Sequence, residues 1–460
     1  MHNISIFGTS SDAGKSTLTF IVAKLLQNRG IKTTVFKAQN VSNNSHIADD
    51  GAEIAISTHF QSRILGVETS WHQNPILLKS GKMGKVSLIV RGRELDQKDI
   101  HSYFRDLKFL KPVVNEGFLY LNGQYDCVVA EGAGGCVELN LLDKDLSNTY
   151  IADHFNTKII LVADIEKGGV FASIYGTIQL LKEKFRENLI GVVINKFRGD
   201  RSLFDDGVKI IEKDFGIKVL GVLPYKSINL GFEDSGSLQN YSQTKDAKIK
   251  VGVISFPHMS NFNDFEPLIL DDEVEINFIT SNIFAYDMLI LPGTKMVADD
   301  LLWMKDSGLF DDLCKYENII VGICGGYEMM FRAILDENHL ESSHEKLSGF
   351  AWIDDFICFD TQKVLKKDKY NIESMLVNGY EIHFGKSEKY PLYYYQEKKF
   401  GTFLHGVFEN DNLRKWLFQK IDPSYKGYNF LEKSEDIIDN YVEEMGKFLD
   451  IDEIISCISK

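Results

Sequence analysis

The sequence predicts an α/β protein: a P-loop doubly wound parallel-sheet domain followed by a second α/β domain. Three observations predict it. Over the first 225 residues, short apolar runs alternate with amphipathic helical stretches, the pattern of strands covered on both faces by crossover helices. A glycine-containing loop ending in Gly14-Lys15-Ser16 stands between the first apolar run and the first helical one. A second series of apolar runs begins at Ile249, after a polar stretch.

In order along the chain, Ile4–Phe7 reads as a strand and Ser16–Asn28 as the helix after the loop. The runs Cys127–Ala130, Ile159–Val162, Leu189–Ile194 and Val219–Val222 read as buried parallel strands, with Ser173–Phe185 as one of the helices between them. Ser235–Lys248 is polar and poor in apolar residues, a linker. Ile249–Ser255, Val274–Phe278, Met288–Leu291 and Ile319–Ile323 form the second strand series. From Gly349 to Leu404 tyrosine, phenylalanine and turn residues become frequent, which predicts added antiparallel strands. Glu432–Lys460 is acidic with a helical pattern. The expected domains are therefore residues 1–235, a linker at 236–248, a second domain at 249–445 and a helical tail at 446–460.

The 460 residues suffice for two or three domains, and 44% hydrophobic with 25% charged residues is ordinary globular composition. A net charge of −15 argues against broad binding to nucleic acid or anionic membrane, which both draw on basic patches. No apolar stretch reaches the roughly 18 residues of a membrane span, and no signal-peptide pattern opens the chain. The six cysteines lie far apart with no C-x-x-C pair, so neither a zinc site nor a disulfide framework is expected. These readings point to a cytoplasmic protein with neither nucleic-acid nor membrane partners. Nothing in the sequence sets an oligomeric state.

The strongest local signal is Gly8-Thr9-Ser-Ser-Asp12-Ala-Gly14-Lys15-Ser16-Thr17. Backbone N–H groups of such a loop and the following helix N-terminus cradle phosphates, Lys15 reaches the terminal ones, and Ser16 offers a hydroxyl to Mg²⁺. Five residues separate the two glycines where the common pattern has four; this longer loop resembles that of dethiobiotin synthetase and its relatives. Ser10 and Ser11 occupy the place where partition ATPases carry an extra lysine. Lys37, Asp50 and Glu131 fall near ends of expected strands, where open α/β sheets bind ligands, and carboxylates there suit a hard cation. Asn195 either contacts a nucleotide base or caps a helix; the sequence leaves both open.

A second constellation lies in the later half. Cys324 ends an apolar strand and is followed by Gly325 and Gly326, the logic of a nucleophile elbow whose next backbone N–H stabilises an oxyanion. The helix N-terminus is expected to favour the thiolate. Gly293 follows another strand and is a second candidate oxyanion donor. A cysteine nucleophile needs a base: His405 and His383 both sit near strand ends, and spacing does not choose between them.

The motifs GTSSDAGKST, FKAQN, NPILLK, EGAG, VADIEKGGVFAS, INKFRGD, SNFNDFEPL, LPGTK, GICGGYEM, GYEIHFG and GTFLHGVFEN occur in that order over nearly the whole chain. Together they closely resemble the cobyric acid synthases, glutamine-dependent amidotransferases of cobalamin biosynthesis. The resemblance implies a triad-type (class I) glutamine amidotransferase domain at the C-terminal side, with Cys324 as nucleophile and His405 as base. It implies a corrinoid substrate, adenosylcobyrinic acid a,c-diamide, amidated at its b, d, e and g carboxylates with ATP, Mg²⁺ and glutamine. It further implies Lys15 and Lys37 at the transferring phosphoryl group, Mg²⁺ on Ser16, Asp50 and Glu131, and Asp145 in the synthetase site. Three features depart from the family's pattern: no glutamate stands two residues after His405, Gly135-Cys136 replaces the usual Ser-Pro, and Ser227–Ser237 lacks the common proline-containing form. The competing readings are cobyrinic acid a,c-diamide synthase, whose phosphate loop usually carries Ser-Gly before Gly-Lys, and a non-catalytic P-loop switch.

Overall fold

The computed structural model describes residues 1–80, 85–99, 107–226, 228, 230 and 247–460. The expected linker at 236–248 and the variant stretch Ser227–Ser237 fall almost wholly outside these residues. The chain forms two units: Met1–Ser42 with Ala48–Ile228 and Glu435–Lys460, and Asn43–Ile47 with Asn229–Ser434.

The first unit is built on six parallel strands in the order Val219–Pro224, Leu189–Phe197, Lys158–Asp164, Ile4–Gly8, Cys127–Glu131, Thr33–Phe36. Their Val- and Ile-rich sequences are buried on both faces, as a doubly wound sheet requires. Ile4–Gly8 is central, with Ile4 opposite Lys158 on one side and Val129 on the other. From it the chain crosses to Thr33–Phe36 on one side, while the neighbouring Cys127–Glu131 leads to Lys158–Asp164 on the other, so the loop after Gly8 opens at the topological switch point. A smaller sheet joins Gln39–Val41, Ile76–Ser80, Lys85–Val90 and Arg93–Asp99. The single helix expected over Ser173–Phe185 is two, Val170–Leu180 and Glu183–Glu187, because Leu181 turns extended (ψ 136°).

The C-terminal residues depart from the expected division. Glu435–Lys460 packs with the first unit, where the sequence suggested a boundary at 445 and a separate tail. The physical reason is the sheet edge at Val219–Pro224. Asp450 N–H donates to Leu220 O at 2.7 Å, Lys218 pairs with Asp450 and Glu453 at 3.2 and 3.1 Å, and Ile454 and Ile458 are fully buried. An edge strand presents unpaired backbone groups, and this segment covers them.

The second unit has its own sheet, ordered Val274–Ile279, Ile249–Ile254, Met288–Leu291, Ile319–Ile323, Lys399–Thr402, Tyr393–Gln396. Its first five strands are parallel and the last pairs antiparallel at the edge. A four-stranded sheet beside it contains the long antiparallel hairpin Ile353–Ile372 and Met375–Lys386, the added strands expected from the aromatic-rich sequence. Its turn places Glu373 and Ser374 at φ 47° and 65°, the two successive left-handed residues of a type I′ connection.

Candidate active sites

In the first unit the loop geometry follows from its glycines. A Cβ on Gly8 would lie 2.9 Å from Ser10 O and 3.0 Å from Lys15 Nζ, so no side chain fits where the lysine folds back. Gly14 has φ +101°, and a Cβ there would meet Asn195 Nδ2 at 2.0 Å. The helix Lys15–Asn28 starts directly after it.

Around this loop the structure gathers a compact charged cluster. Glu131, fully buried at the end of its strand, accepts from Ser16 Oγ and pairs with Lys37 Nζ at Oε1, both at 2.7 Å. Gln61 Nε2 donates to its other oxygen at 2.7 Å. Burial alone would raise the Glu131 carboxyl; the Lys37 ammonium and the hydrogen bonds from Lys37, Ser16 and Gln61 outweigh it, and the net direction is down. Lys15 donates to Ser10 O at 3.0 Å and Gly134 O at 2.8 Å. Burial lowers its pKa, Glu131 offsets part of that, and the neighbouring Lys37 adds to the lowering.

Other expected members of this site are placed differently. Asp50 is exposed and its oxygens accept the N–H groups of Ala52 and Trp71, at 3.0 and 3.1 Å. The structure does not bring it to Ser16 and Glu131, because a carboxylate two residues before a backbone N–H closes a local turn. Asn195 does not cap the loop's helix; its Nδ2 donates to Ala13 O at 3.0 Å and braces the loop. Lys196 Nζ does the same from the side, donating to Asp12 O at 2.7 Å. Thr9 N–H donates to Val162 O, continuing the strand register into the loop, and Thr17 lies half-buried in the helix's first turn. Asp145 caps the helix Thr149–His154, accepting from Ser147, Asn148 and Thr149 N–H at 2.6–2.9 Å. It also lines a cavity of about 210 Å³ with Lys111, Cys136 and Lys182. Cys136 is buried, and burial pushes its thiol up to about 12.

In the second unit Cys324 stands between the strand Ile319–Ile323 and the short helix Gly325–Glu328 at φ 49°, ψ −110°. A non-glycine residue held there stores backbone strain of about 1–3 kcal/mol. Gly326 N–H donates to Pro292 O and Glu328 N–H to Cys324 O, at 3.1 and 3.0 Å, which fixes the turn. A Cβ on Gly293 would be 3.0 Å from His405 Cε1 and 3.8 Å from Cys324 Cβ. The imidazole, the thiol-bearing carbon and this glycine therefore converge on one point, with Gly325 adjoining.

The thiol itself runs against the expectation of a resting thiolate. Burial, then the negative field of Glu328, Glu341 and Asp264, pushes the Cys324 thiol well up, and only the Gly325 N–H pulls it down. A helix of four residues is too short for its N-terminal charge to compete with that desolvation.

The two candidate histidines sit in different surroundings. His383 is engaged by Gly385 O at Nδ1 (2.6 Å) and Glu381 at Nε2 (3.2 Å), with its ring stacked on Phe403. His405 Nδ1 bonds Asp264 Oδ2 at 2.7 Å, and the other oxygen of Asp264 accepts Gly406 N–H at 2.7 Å. Asp264 thus supplies the orienting carboxylate missing after His405. Sequence reasoning passed over it, although it is a lone acid in the aromatic run Phe262-Asn263-Asp264-Phe265. Gln61 was missed as well, since a glutamine carries no distinctive spacing signal. Among the described residues no group of three metal-ligating side chains is assembled, and no helix is long and apolar enough to cross a membrane.

Comparison with known proteins places both halves. Residues 4–233 match the CobQ/CobB/MinD/ParA nucleotide binding domain, and residues 250–413 match the CobB/CobQ-like glutamine amidotransferase domain. Cobyric acid synthase of Acinetobacter baylyi is 53% identical over 462 residues, covering 100% of this chain and 99% of that one. Cobyric acid synthase of Chlorobium phaeobacteroides is 35% identical with 92% of each covered, and a probable cobyric acid synthase of Methanocaldococcus jannaschii is 36% identical with 91% of each covered. A nucleotide-binding α/β unit, an amidotransferase α/β unit and relatives aligned end to end leave one assignment: the chain is an enzyme of the cobyric acid synthase family, the amidotransferase ligases.

Proposed function

We propose that the enzyme converts adenosylcobyrinic acid a,c-diamide to adenosylcobyric acid, amidating the b, d, e and g carboxylates with ATP and glutamine. The observation that carries the reading is the convergence of Cys324, His405 and Gly293, with Asp264 behind the imidazole. At that site His405 takes the Cys324 proton as the thiol attacks the glutamine carboxamide carbon, and Asp264 stabilises the imidazolium. Gly293 and Gly325 N–H groups stabilise the oxyanion. The imidazolium returns the proton to the leaving ammonia, and water then cleaves the glutamyl thioester to glutamate.

At the phosphate loop a corrinoid carboxylate oxygen attacks the γ-phosphoryl group of ATP and ADP leaves, giving an acyl phosphate. Ammonia adds to the acyl carbon and phosphate departs. Lys15 and Lys37 offset charge on the transferring group, while the loop N–H groups hold the chain of phosphates. Ser16 and Glu131 put a hydroxyl and a carboxylate oxygen 2.7 Å apart, a hard donor set that fits Mg²⁺. When bound there, Mg²⁺ would neutralise phosphate charge. Asp50, spent on its own turn, lies outside that donor set here.

Mass spectrometry of adenosylcobyrinic acid a,c-diamide incubated with enzyme, Mg-ATP and glutamine tests the proposal. Four successive acid-to-amide mass shifts are expected, ending there. Unchanged corrinoid with ATP and glutamine both consumed would overturn the substrate assignment.

A further inference from the structure

The amidotransferase unit contains five residues, Asn43–Ile47, drawn from far outside its own stretch of sequence. They fall within the part of the chain that matches the nucleotide-binding family, residues 4–233, not the amidotransferase match at 250–413. The segment is tied down at two points beside the Cys324 site. Asn44 Oδ1 accepts Asn261 N–H at 2.7 Å, at the start of the turn that carries Asp264. Lys295 Nζ donates to Asn43 Oδ1 at 3.1 Å, two residues after Gly293.

Between these anchors and the active histidine runs a column of rings. His46 is buried, its Nδ1 engaged by Ile47 O at 2.7 Å, and its ring centroid lies 3.9 Å from that of Tyr380. Tyr380 in turn stacks on His405 at 5.3 Å with planes 26° apart. Its hydroxyl accepts from Asn263 Nδ2 at 3.2 Å, and its backbone exchanges two hydrogen bonds with His405. Asp264 fixes His405 at one nitrogen; the ring face is set by Tyr380 alone among these contacts. A base that must swing neither toward nor away from a thiol needs both constraints, since small misplacements of a reacting group cost large factors in rate.

We propose that His46 is a positioning residue for glutamine hydrolysis, holding Tyr380 against the face of His405. The glutaminase is then incomplete without a segment encoded in the nucleotide-binding half of the sequence. This rests on the Cys324–His405 reading above.

Glutamine hydrolysis by the full-length enzyme is compared for wild type, His46→Leu, His46→Phe and Cys324→Ser. His46→Leu is expected to lower kcat about tenfold while KM stays within about twofold, because the imidazole and not the glutamine contacts is disturbed. His46→Phe keeps a ring on Tyr380 and is expected to restore kcat to within about twofold of wild type. A wild-type kcat in His46→Leu, a change confined to KM, or equal impairment of both variants would overturn the proposal. Should His46→Leu fail to fold, Asn44→Ala, which frees the segment at Asn261 and leaves His46 in place, decides it: a lowered kcat supports the role and an unchanged one removes it. Cys324→Ser separates the two readings, since hydrolysis surviving that change would sink the nucleophile assignment itself.

Discussion

The phosphate-loop cluster and the cysteine site solve opposite electrostatic problems. At the loop, two lysines and a glutamate stay buried because they face one another: Glu131 meets Lys37 and Ser16 at 2.7 Å, and Lys15 is held by loop carbonyls. Charge is present before any substrate arrives, as phosphoryl transfer demands. At Cys324, the proposed nucleophile, burial and three surrounding carboxylates push the thiol up. On the proposed mechanism its charge appears during the reaction, through His405. One site is prepared with paired ions, the other with backbone strain and an oriented base.

The sharpest way to break this contrast is to remove one function from each side. Cys324→Ser should lower glutamine hydrolysis by a factor of about 10³ or more, with amidation still supported by ammonium salts. Lys15→Met should lower ATP-dependent amidation by a comparable factor of about 10³ while glutamine hydrolysis persists. A single variant that silenced both half-reactions would show that the two sites do not divide the chemistry this way.

A structural version of the same test comes next. Lys37→Met leaves Glu131 buried without its cation and should cost about 3–5 kcal/mol in urea unfolding; Lys37→Met with Glu131→Gln should recover a large part of it. At the other site no such ion pair holds the nucleophile, and Asp264→Asn should act on rate instead. It should lower glutaminase kcat by a factor of about 10² or more through the wrong His405 tautomer, whereas His383→Gln should change kcat little. Equal losses in the two variants would return His383 to the reaction.

The smallest effect is the most diagnostic of charge state. Glu131 has a folded pKa below the ordinary 4.5, so its stabilisation is present above that value and lost as pH falls through the folded one. Cys324 has a folded pKa above the ordinary 9.0, so its contribution is full below that value and lost as pH rises toward the folded one. Each limb steepens by at most about 1.4 kcal/mol per pH unit. Glu131→Gln should flatten the acid limb of a stability–pH curve and Cys324→Ala the alkaline limb; a swap of those two assignments would refute the contrast.

Legibility in the sequence followed the same divide. The phosphate loop is contiguous, its strand and helix flank it, and the doubly wound sheet follows from the apolar alternation. Cys324 was equally visible, because the elbow needs small residues immediately after it. What escaped were partners brought together across long separations: Asp264 reaches His405 from 141 residues away, and no spacing rule links them. Asp50 misled for a different reason: it stands where ligands bind in such sheets, yet it accepts the N–H two residues on, a choice decided by local turn geometry. The amphipathic tail announced a helix but not the sheet edge it would cover.

The chain passes from one unit to the other after Ser42, Ile47, Ile228 and Ser434. That threading bears on how such an enzyme could be divided or assembled from separate genes. A break at the Ile228 passage yields an N-terminal fragment that keeps Asn43–Ile47, which the other unit uses, and a C-terminal fragment that keeps Glu435–Lys460, which covers the first unit's sheet edge. Each fragment would carry a part of its neighbour and want a part of its own. Neither fragment alone would contain a whole unit.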